Sequence, residues 1–256
     1  MKKIGIVGCG WLGLHIAKHL SANHKIFTTT TSERKKNELI AMGYNSIAIQ
    51  FSDYEIFQEY KSWKAIADLD TIIITVPFSK RASTNLLKNR FENISLFIDN
   101  FDKQLFLMSS VGIYPQIKME IAENTLSEEY LNPSILFVEQ LMRNKFVQVN
   151  ILRLGGLMGG DRIFSNYETS TPNQIVNHVH YKDICLVIEK MIFQNSNAKT
   201  YNVVAPLHPT KQEIINYQKG IEDASEIQKY GRKILTDLLI SDLDYQYINP
   251  NPIIYK

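Results

Sequence analysis

The sequence has little cysteine, no long apolar run and almost no excess of one charge. Cys9 and Cys185 are the only cysteines among 256 residues, too few for a disulfide framework and typical of a reducing compartment. No apolar run approaches the ~18–20 residues that a membrane-spanning helix needs. The 28 Lys and Arg against 26 Asp and Glu give a net charge of +2, without the concentrated positive charge of nucleic-acid or polybasic membrane binders. These absences predict a cytoplasmic protein that binds neither nucleic acid nor membrane.

Strand and helix patterns alternate through the first part of the chain. Apolar, β-rich runs predict strands at 3–7, 25–29, 46–51, 70–76, 104–108 and 147–154, and helical patterns lie between them at 33–42, 82–98 and 133–144. This alternation predicts an α/β protein with a Rossmann-type, doubly wound parallel sheet.

The regular alternation is lost in the last hundred residues, where helix and strand patterns still lie at 183–193, 201–204, 210–219 and 233–239. We therefore predict a dinucleotide-binding domain over 1–155, to which elements near 173–204 also contribute. Residues 156–256 are expected to form a smaller, substrate-binding lobe.

The first predicted strand runs into a glycine-rich turn, GCGWLG, which opens a helix. Gly8 permits the tight turn, Gly10 lacks a Cβ so that a pyrophosphate can approach the backbone, and Gly13 allows the helix to pack closely on the strand. Trp11 and Leu12 complete the turn and are expected mainly to pack. The free N–H groups and positive dipole end of the helix favour phosphates. The turn therefore predicts dinucleotide binding.

The end of the second strand indicates which dinucleotide is bound. An NAD site usually places Asp or Glu there, on the ribose 2′-hydroxyl. Here the sequence TTTTSERKK offers hydroxyls and then cations, which can hold a 2′-phosphate that a carboxylate would repel. Thr30, Ser32 and Arg34 are the candidate ligands, although Arg34 alternatively lies in the solvated first turn of a helix. NADP(H) is the preferred cofactor, and Glu33 keeps NAD(H) open.

Further segments follow in a fixed order along the chain: QFSD at 50–53, TVP at 75–77, SSVGIY at 109–114, LRLGGLMGGDR at 152–162, NHVHYKD at 177–183 and YNVV at 201–204. With the glycine turn, they resemble the extended short-chain dehydrogenase/reductase superfamily, the NAD-dependent epimerase/dehydratase group, and most of all its atypical members. The resemblance covers nearly the whole chain. It implies that Asp53 lies near the adenine and that Val76 and Pro77 pass the cofactor. A small-molecule substrate with a hydroxyl or carbonyl group, and a homodimer, are the family expectations.

The chemistry of the family needs a Tyr-x-x-x-Lys pair on the helix after the serine segment. That spacing puts both residues on one helix face, where the lysine lowers the tyrosine pKa and the phenol exchanges a proton with the substrate. Aligned on Val138-Glu139-Gln140, the two positions fall on Leu131 and Ile135, which cannot move a proton. The sequence departs from the family at this point.

Three hydroxyl side chains remain as candidate catalytic residues. Ser110 keeps the serine position of the family and either faces the substrate or bonds the backbone at the strand end. Tyr114 is a phenol at the carboxyl edge of the sheet, and Tyr130 adjoins the missing tyrosine position. The literal spacing of Tyr114 and Lys118 is not expected to lie on a helix, because the proline at 115 disfavours the α conformation of the residue before it.

No metal site is expected, since His178 and His180 have no third ligand at a suitable spacing. Two functions stay open. The first is an NADP(H)-dependent oxidoreductase, epimerase or dehydratase acting on a sugar-like molecule. The second is a non-enzymatic NADP(H) sensor, favoured by the missing catalytic pair.

Overall fold

A computed structural model describes residues 1–57, 62–78, 83–166, 169–221 and 228–255. The strands are β1 (Lys3–Val7), β2 (Lys25–Thr30), β3 (Asn45–Ala48), β4 (Thr71–Ile74), β5 (Gln104–Ser110), β6 (Glu120–Ile121), β7 (Asn150–Leu154), β8 (Gly156–Met158), β9 (His178–His180), β10 (Thr200–Val203) and β11 (Lys233–Ile234). The α-helices are α1 (Trp11–Leu20), α2 (Glu33–Ala41), α3 (Thr84–Ile98), α4 (Pro133–Lys145), α5 (Tyr181–Phe193), α6 (Lys211–Lys219) and α7 (Asp237–Leu243). No helix among the described residues has both the length and the apolar character to cross a membrane.

Seven strands form the central sheet in the order β10-β7-β5-β4-β1-β2-β3. The pairs β1–β2, β2–β3, β1–β4 and β4–β5 are parallel, with Ile4 opposite Ile26 on one side and Thr71 on the other. The chain builds outward from β1 to β3 and then returns to the far side of β1 with β4. This reversal is the switch point at which doubly wound sheets bind ligands, and the predicted fold class is confirmed.

Apolar residues of the strands, α3 and α4 make one buried cluster against the sheet. All four residues of β4 are buried, as expected for a parallel strand that is covered on both faces. The cluster around it comprises Val7, Trp63, Leu69, Ile72, Ile74, Leu87, Phe91, Ile94, Phe97, Ile98, Phe101, Leu105, Leu107, Val138, Met142, Phe146, Val149 and Ile151. Such a core holds the strand ends, and therefore the loops that follow them, in fixed positions.

Local capping residues fix the starts of several helices, and the cap of α4 is the predicted one. The Asn132 side chain accepts hydrogen bonds from the N–H groups of Ser134 and Ile135, and Pro133 occupies the first helical position of α4. Ser83 caps α3, whose predicted start at Ala82 lies outside the described residues. Thr210 opens α6 with a capping box.

The third predicted strand is wrong in extent. The third strand ends at Ala48 rather than at Phe51, and the following residues form an irregular loop instead. The pattern at 233–239 becomes a short strand, β11, followed by α7, and Ile234 of β11 pairs with Ile121 of β6.

The chain divides into two compact units. The first comprises Met1–Ser110, Asn132–Leu152 and Met191–Thr200, and the second comprises Val111–Leu131, Arg153–Lys190 and Tyr201–Lys256. The segment after β5 thus belongs to the second unit.

A buried carboxylate anchors the end of the chain within the second unit. Asp183, in the first turn of α5, is fully buried. It accepts hydrogen bonds from the Tyr245 hydroxyl at 2.8 Å, the Ile248 N–H at 2.8 Å, and the Asn249 N–H and side-chain amide at 3.1 and 2.8 Å. These donors satisfy the carboxylate oxygens and fix the residues after α7 against α5.

Candidate functional site

The glycine-rich turn between β1 and α1 has three glycines with three different environments. Gly8 has a φ of +88°, and a Cβ there would lie 2.7 Å from a Val76 methyl carbon. A Cβ on Gly13 would lie 2.7 Å from the Thr75 hydroxyl, so the close helix–strand approach excludes larger residues. A Cβ on Gly10 would meet nothing nearer than the Gly8 carbonyl at 3.9 Å. Gly8 and Gly13 are therefore required by the fold, whereas Gly10 keeps open space beside the turn.

Hydrogen bonds from neighbouring strands fix the turn. The Thr29 hydroxyl accepts from the Gly8 N–H at 2.9 Å, and the Thr29 carbonyl accepts from the Cys9 N–H at 2.7 Å. The Thr75 hydroxyl donates to the Gly8 carbonyl at 2.7 Å. Burial raises the pKa of the Cys9 thiol to about 11, so this cysteine stays protonated and serves as a small packing residue.

The start of α1 leaves backbone donors for a ligand. Gly10 is the N-cap residue, and no side chain in the described part of the protein caps the helix. The first turn of α1 contains no acidic side chain. The N–H groups and the positive end of the helix dipole are therefore directed at the open space beside Gly10.

A cavity of about 960 Å³ adjoins this turn. Of the residues predicted to bind a cofactor, Gly8, Gly10, Trp11, Thr30, Ser32, Asp53, Val76 and Pro77 line it. The cavity lining does not include Leu12, Gly13 or Arg34. Leu12 is buried and Gly13 packs on the end of β4, as expected from their packing roles. The sequence prediction missed the lining residues Cys9, Leu14, Thr29, Thr31, Lys35, Ile49, Gln50, Phe51, Ser52, Tyr54, Phe57 and Arg90.

At the end of β2, Lys35 rather than Arg34 reaches the cavity. The Arg34 side chain is 92% exposed and pairs with Glu38 at 3.1 Å, whereas Lys35 is 32% exposed and pairs with the other oxygen of Glu38 at 3.0 Å. Hydrogen bonding to Lys35, and then to Arg34, lowers the pKa of Glu38. Lys35 precedes the buried Leu39 by one helical turn, so both residues lie on the face of α2 that is turned towards the protein. This spacing is the sequence signal that distinguishes Lys35 from Arg34.

Ser32 begins α2 and lines the same part of the cavity. Its hydroxyl accepts from the Lys35 N–H at 3.3 Å, which leaves the hydroxyl proton available to a further acceptor. The preceding residues Thr28, Thr29 and Thr30 are buried, and no acidic side chain follows them until Glu33. This end of the cavity therefore offers hydroxyl and ammonium donors.

Asp53 lies in the loop after β3 and is paired with Arg90 from α3. The guanidinium binds both carboxylate oxygens, at 2.7 and 2.5 Å. Its remaining terminal nitrogen donates to the Pro77 carbonyl at 3.0 Å. Arg90 is 37 residues from Asp53 in sequence, and no local pattern marks the pair.

These groups fit a dinucleotide. The space kept open by Gly10, the uncapped start of α1 and the donors at Ser32 and Lys35 form one continuous surface for phosphates. Among the described lining residues, Lys35 and Arg90 are cations and Asp53 is the acid, while Glu38, the partner of Lys35, does not line the cavity. The lining therefore carries a small positive excess that suits a polyanion.

The end of β5 carries two serines with different roles. The buried Ser109 donates a 2.6 Å hydrogen bond to the buried Glu139 of α4. The predicted catalytic Ser110 is half-buried, at the last position of the strand. The carboxyl end of a parallel strand is where ligands bind in open α/β sheets.

Tyr114 is buried in a polar network of the second unit, with only 3% of its surface exposed. Its hydroxyl donates to Asn202 at 2.7 Å and accepts from Arg153 at 2.8 Å. Arg232 donates to the Tyr114 carbonyl. Burial raises the pKa of the Tyr114 phenol, against the opposing effect of Arg153. A substrate can exchange a proton with this phenol only after one of the two hydroxyl contacts opens.

The remaining catalytic candidates are not brought into a Tyr-x-x-x-Lys arrangement. Tyr130 is 61% exposed, in a single 3₁₀ turn before α4. Leu131 precedes α4, and Ile135 is buried within it. Residues 114–118 are not helical, so the tyrosine and lysine at those positions do not share a helix face.

The two histidines of the NHVHYKD segment are packing residues. A Cβ on Gly156 would collide with the His178 ring, and one on Gly159 would collide with the His180 ring. Burial, and next the charge of Lys211, lowers the pKa of His178 to about 4, so its ring is neutral at pH 7. Within the described residues no group of three or more His, Cys, Asp or Glu could hold a metal ion.

Comparison with known proteins places this geometry in context. No family model matches the chain. Protein YeeZ of Escherichia coli K12 is 25% identical over 271 residues, an alignment that covers 99% of this chain and 98% of YeeZ. A protein from Methylobacillus flagellatus assigned as an NAD-dependent epimerase/dehydratase has a TM-score of 0.75 and 21% identity, over 98% of this chain and 94% of that one. Yeast methylglyoxal/isovaleraldehyde reductase, complexed with NADPH, has a TM-score of 0.70 and 14% identity, over 98% and 96%.

The similarity extends over nearly the full length of each of these chains, and the strand order and glycine turn agree with it. The chain therefore has the same fold as these solved epimerase- and reductase-type structures, as the order of its motifs predicted.

Proposed function

We propose that the protein is an NADP(H)-dependent oxidoreductase or epimerase/dehydratase-like enzyme that acts on a hydroxyl or carbonyl group of a small, sugar-like molecule. The observation that carries this proposal is the cavity beside Gly10, which runs from the uncapped start of α1 to the donors at the end of β2. The similarity to reductases and epimerases agrees with this function.

The preference for NADP(H) rests on Ser32 and Lys35. A 2′-phosphate at the end of β2 would accept a hydrogen bond from the Ser32 hydroxyl and an ion pair from Lys35, which can turn from Glu38 towards the stronger anion. NADH offers only a ribose hydroxyl there, and Lys35 then keeps its carboxylate partner. We therefore assign Lys35 the main part of the role that the sequence suggested for Arg34.

When bound, the nicotinamide ring supplies or accepts a hydride at its C4 atom. The backbone donors at the start of α1 hold the pyrophosphate, and Gly8 and Gly13 keep those donors in place. Ser110 donates a hydrogen bond to the reacting oxygen of the substrate and so orients it. A tyrosine, either Tyr114 or Tyr130, gives or takes the proton of that oxygen.

An assay of turnover with a panel of carbonyl compounds tests this function, and the loss of NADPH absorbance measures the rate. The account predicts turnover with at least one compound and a fall of ~10²-fold or more in kcat/KM for Ser110→Ala, with NADPH affinity retained. Tyr114→Phe and Tyr130→Phe identify the proton donor, since only one should lower kcat. Because an epimerase or dehydratase returns the hydride to its cofactor, chromatography of the products accompanies the absorbance assay. Failure of every sugar-like and small carbonyl compound in both assays, with NADPH bound, would contradict an enzymatic role.

A second function is supported by one specific observation. Leu131 and Ile135 occupy the positions of the family's catalytic pair, and the Tyr114 hydroxyl is already bonded twice. An NADP(H) sensor would keep the cofactor cavity and need no proton donor. Such a protein would bind NADPH without turnover and would change its affinity for a protein partner when NADPH is added.

A further inference from the structure

Arg232, immediately before β11, is a buried cation of the second unit. Only 8% of its surface is exposed. Among the residues that the structure describes, no carboxylate forms an ion pair with its guanidinium. A guanidinium stays protonated in proteins, and a buried charge is costly unless an opposite charge and hydrogen bonds compensate it. Arg232 therefore holds a positive charge for which the described part of the chain supplies no counter-ion.

Two other arginines with little exposure each have an acid nearby. Arg90 binds both carboxylate oxygens of Asp53. Burial raises the pKa of Glu123, and the charge of Arg153 is among the effects that oppose this rise, so these two groups lie close together. Arg232 differs from both, and this difference indicates that its counter-ion belongs to a ligand.

The guanidinium of Arg232 is anchored on one side. Its Nη1 atom donates to the carbonyls of Tyr114 and of Pro115, the latter at 3.4 Å. Its Nε atom is buried and has no hydrogen-bond partner among the described residues. The Nε–H group and the second terminal nitrogen form one edge of the planar fork, and two parallel N–H groups on such an edge match two oxygens of a carboxylate or a phosphate. The unused edge is thus shaped for an oxyanion.

The backbone around Arg232 is held without its side chain. The Asn177 side-chain amide donates to the Arg232 carbonyl at 3.0 Å, and the Asn177 side-chain oxygen accepts from the Ile234 N–H at 2.7 Å. The Lys233 N–H donates to the Met119 carbonyl at 2.9 Å. Because these contacts keep β11 beside β6, the strand does not depend on the guanidinium.

The position of Arg232 connects it with a candidate proton donor. Burial lowers the pKa of Arg232, and a charge on the Tyr114 phenol opposes this effect, so the phenol and the guanidinium lie close enough to interact. Gln116 and Tyr230, which flank the guanidinium along the chain, are both exposed. An anion on Arg232 would therefore lie near the surface of the second unit and near Tyr114.

Resting on the proposed function, we propose that the unused edge of Arg232 binds an oxyanion group of the substrate, so that the substrate is a hydroxyl or carbonyl compound carrying a carboxylate or a phosphate. The anion compensates the buried charge and accepts the hydrogen bond of Nε. A neutral compound of the same shape leaves both unsatisfied and binds more weakly.

The Nε–H signal of Arg232 in the NMR spectrum of the full chain tests this site without turnover. The signal is identified by its absence from Arg232→Lys, which has no Nε–H group. Sodium acetate and inorganic phosphate are the anionic probes and acetamide is the neutral one, all at a constant ionic strength. At least one anion should shift the signal to saturation, and acetamide should leave it unchanged. A signal that neither anion moves would overturn the inference, and the anion that binds more tightly identifies the group.

Matched carbonyl pairs test the role in substrate selection. Pyruvate is compared with methyl pyruvate, and dihydroxyacetone phosphate with dihydroxyacetone, in reduction by NADPH. The wild type should show a kcat/KM about 10-fold or more higher for the anionic member of at least one pair. Arg232→Gln should bring this ratio to within about two-fold, and Arg232→Lys, which keeps the charge but not the planar fork, should lower it about three-fold or more.

Lys233→Gln is the matched control, because Lys233 is the next residue and its ammonium pairs with Glu120 at 2.8 Å on the exposed side of β11. It should keep the wild-type ratio. If Arg232→Gln does not fold, as judged by circular dichroism, Arg232→Lys and the wild-type titrations decide the question.

The outcomes separate this inference from the proposed function. Folded Arg232 variants that keep the wild-type ratio would overturn the inference. Turnover of the neutral members alone would also overturn it and leave the proposed function intact. If acetate or phosphate shifts the Arg232 signal but no compound of the whole carbonyl panel is turned over, the anion site stands and the proposed function is contradicted.

Discussion

Replacing Gly10 by alanine should weaken cofactor binding while leaving the fold unchanged. The φ of Gly10 is −81°, which any residue adopts, and the added methyl would meet only the Gly8 carbonyl at 3.9 Å. Alanine is a poorer N-cap than glycine, but it also lowers the entropy of the unfolded chain, so the net change in unfolding free energy should lie within about 0.5 kcal/mol.

The same methyl group enters the space in which a pyrophosphate would contact α1. Moving the phosphate away forfeits at least one charge-assisted hydrogen bond, worth about 1.5–3 kcal/mol, which corresponds to a roughly 10- to 150-fold loss of affinity. Calorimetric titration with NADPH measures this loss directly.

Gly13→Ala provides the opposite case and serves as the matched control. Its methyl would lie 2.7 Å from the Thr75 hydroxyl and 3.0 Å from the Gly8 carbonyl, and so would disturb the hydrogen bond between those two groups. Overpacking of this kind costs about 1–3 kcal/mol of stability. Urea unfolding without cofactor should therefore show a loss for Gly13→Ala and none for Gly10→Ala. Wild-type NADPH affinity in Gly10→Ala would refute the placement of the phosphates.

Three further substitutions test other parts of the account. Asp183→Ala leaves the Tyr245 hydroxyl and three further donors without their acceptor. The unfolding free energy, measured with urea, should fall by about 3 kcal/mol or more. A fall below about 1 kcal/mol would contradict the anchoring role. Because the pKa of His178 is lowered, the folded protein binds fewer protons than the unfolded chain between about pH 4 and 6.5. Up to about 3 kcal/mol of the unfolding free energy, present above pH 6.5, is therefore lost as the pH falls to 4. His178→Gln should remove that part of the pH dependence, and an unchanged profile would contradict the assignment. Lys35→Ala should lower the NADPH/NADH affinity ratio about 10-fold, whereas Arg34→Ala should change it less than three-fold; the reverse order would restore Arg34 as the main ligand.

Features that depend on neighbours in sequence were predictable. The glycine turn was predicted from its place between a strand and a helix, and α4 from Asn132 and Pro133 at its start. Such signals work because turn conformation and helix capping are decided within a few residues. The order of the motifs likewise predicted the fold.

Features that depend on distant residues were not predictable. Arg90 meets Asp53 across 37 residues, and Tyr114 meets Asn202 across 88. The burial of Tyr114 follows from those long-range partners, which a sequence pattern does not reveal. Lys35 was distinguishable from Arg34 only by its helical spacing from the buried Leu39. An argument based only on the number of hydroxyl and charged residues at the end of β2 overlooks this local signal.

The central claim is that the cavity beside Gly10 binds NADP(H), and calorimetric titration of the cofactor-free wild type with NADPH and NADH tests it most directly. The account predicts micromolar or tighter binding of NADPH and ~10-fold or weaker binding of NADH. Tighter binding of NADH would contradict the role of Ser32 and Lys35, and binding of neither cofactor would contradict the central claim itself.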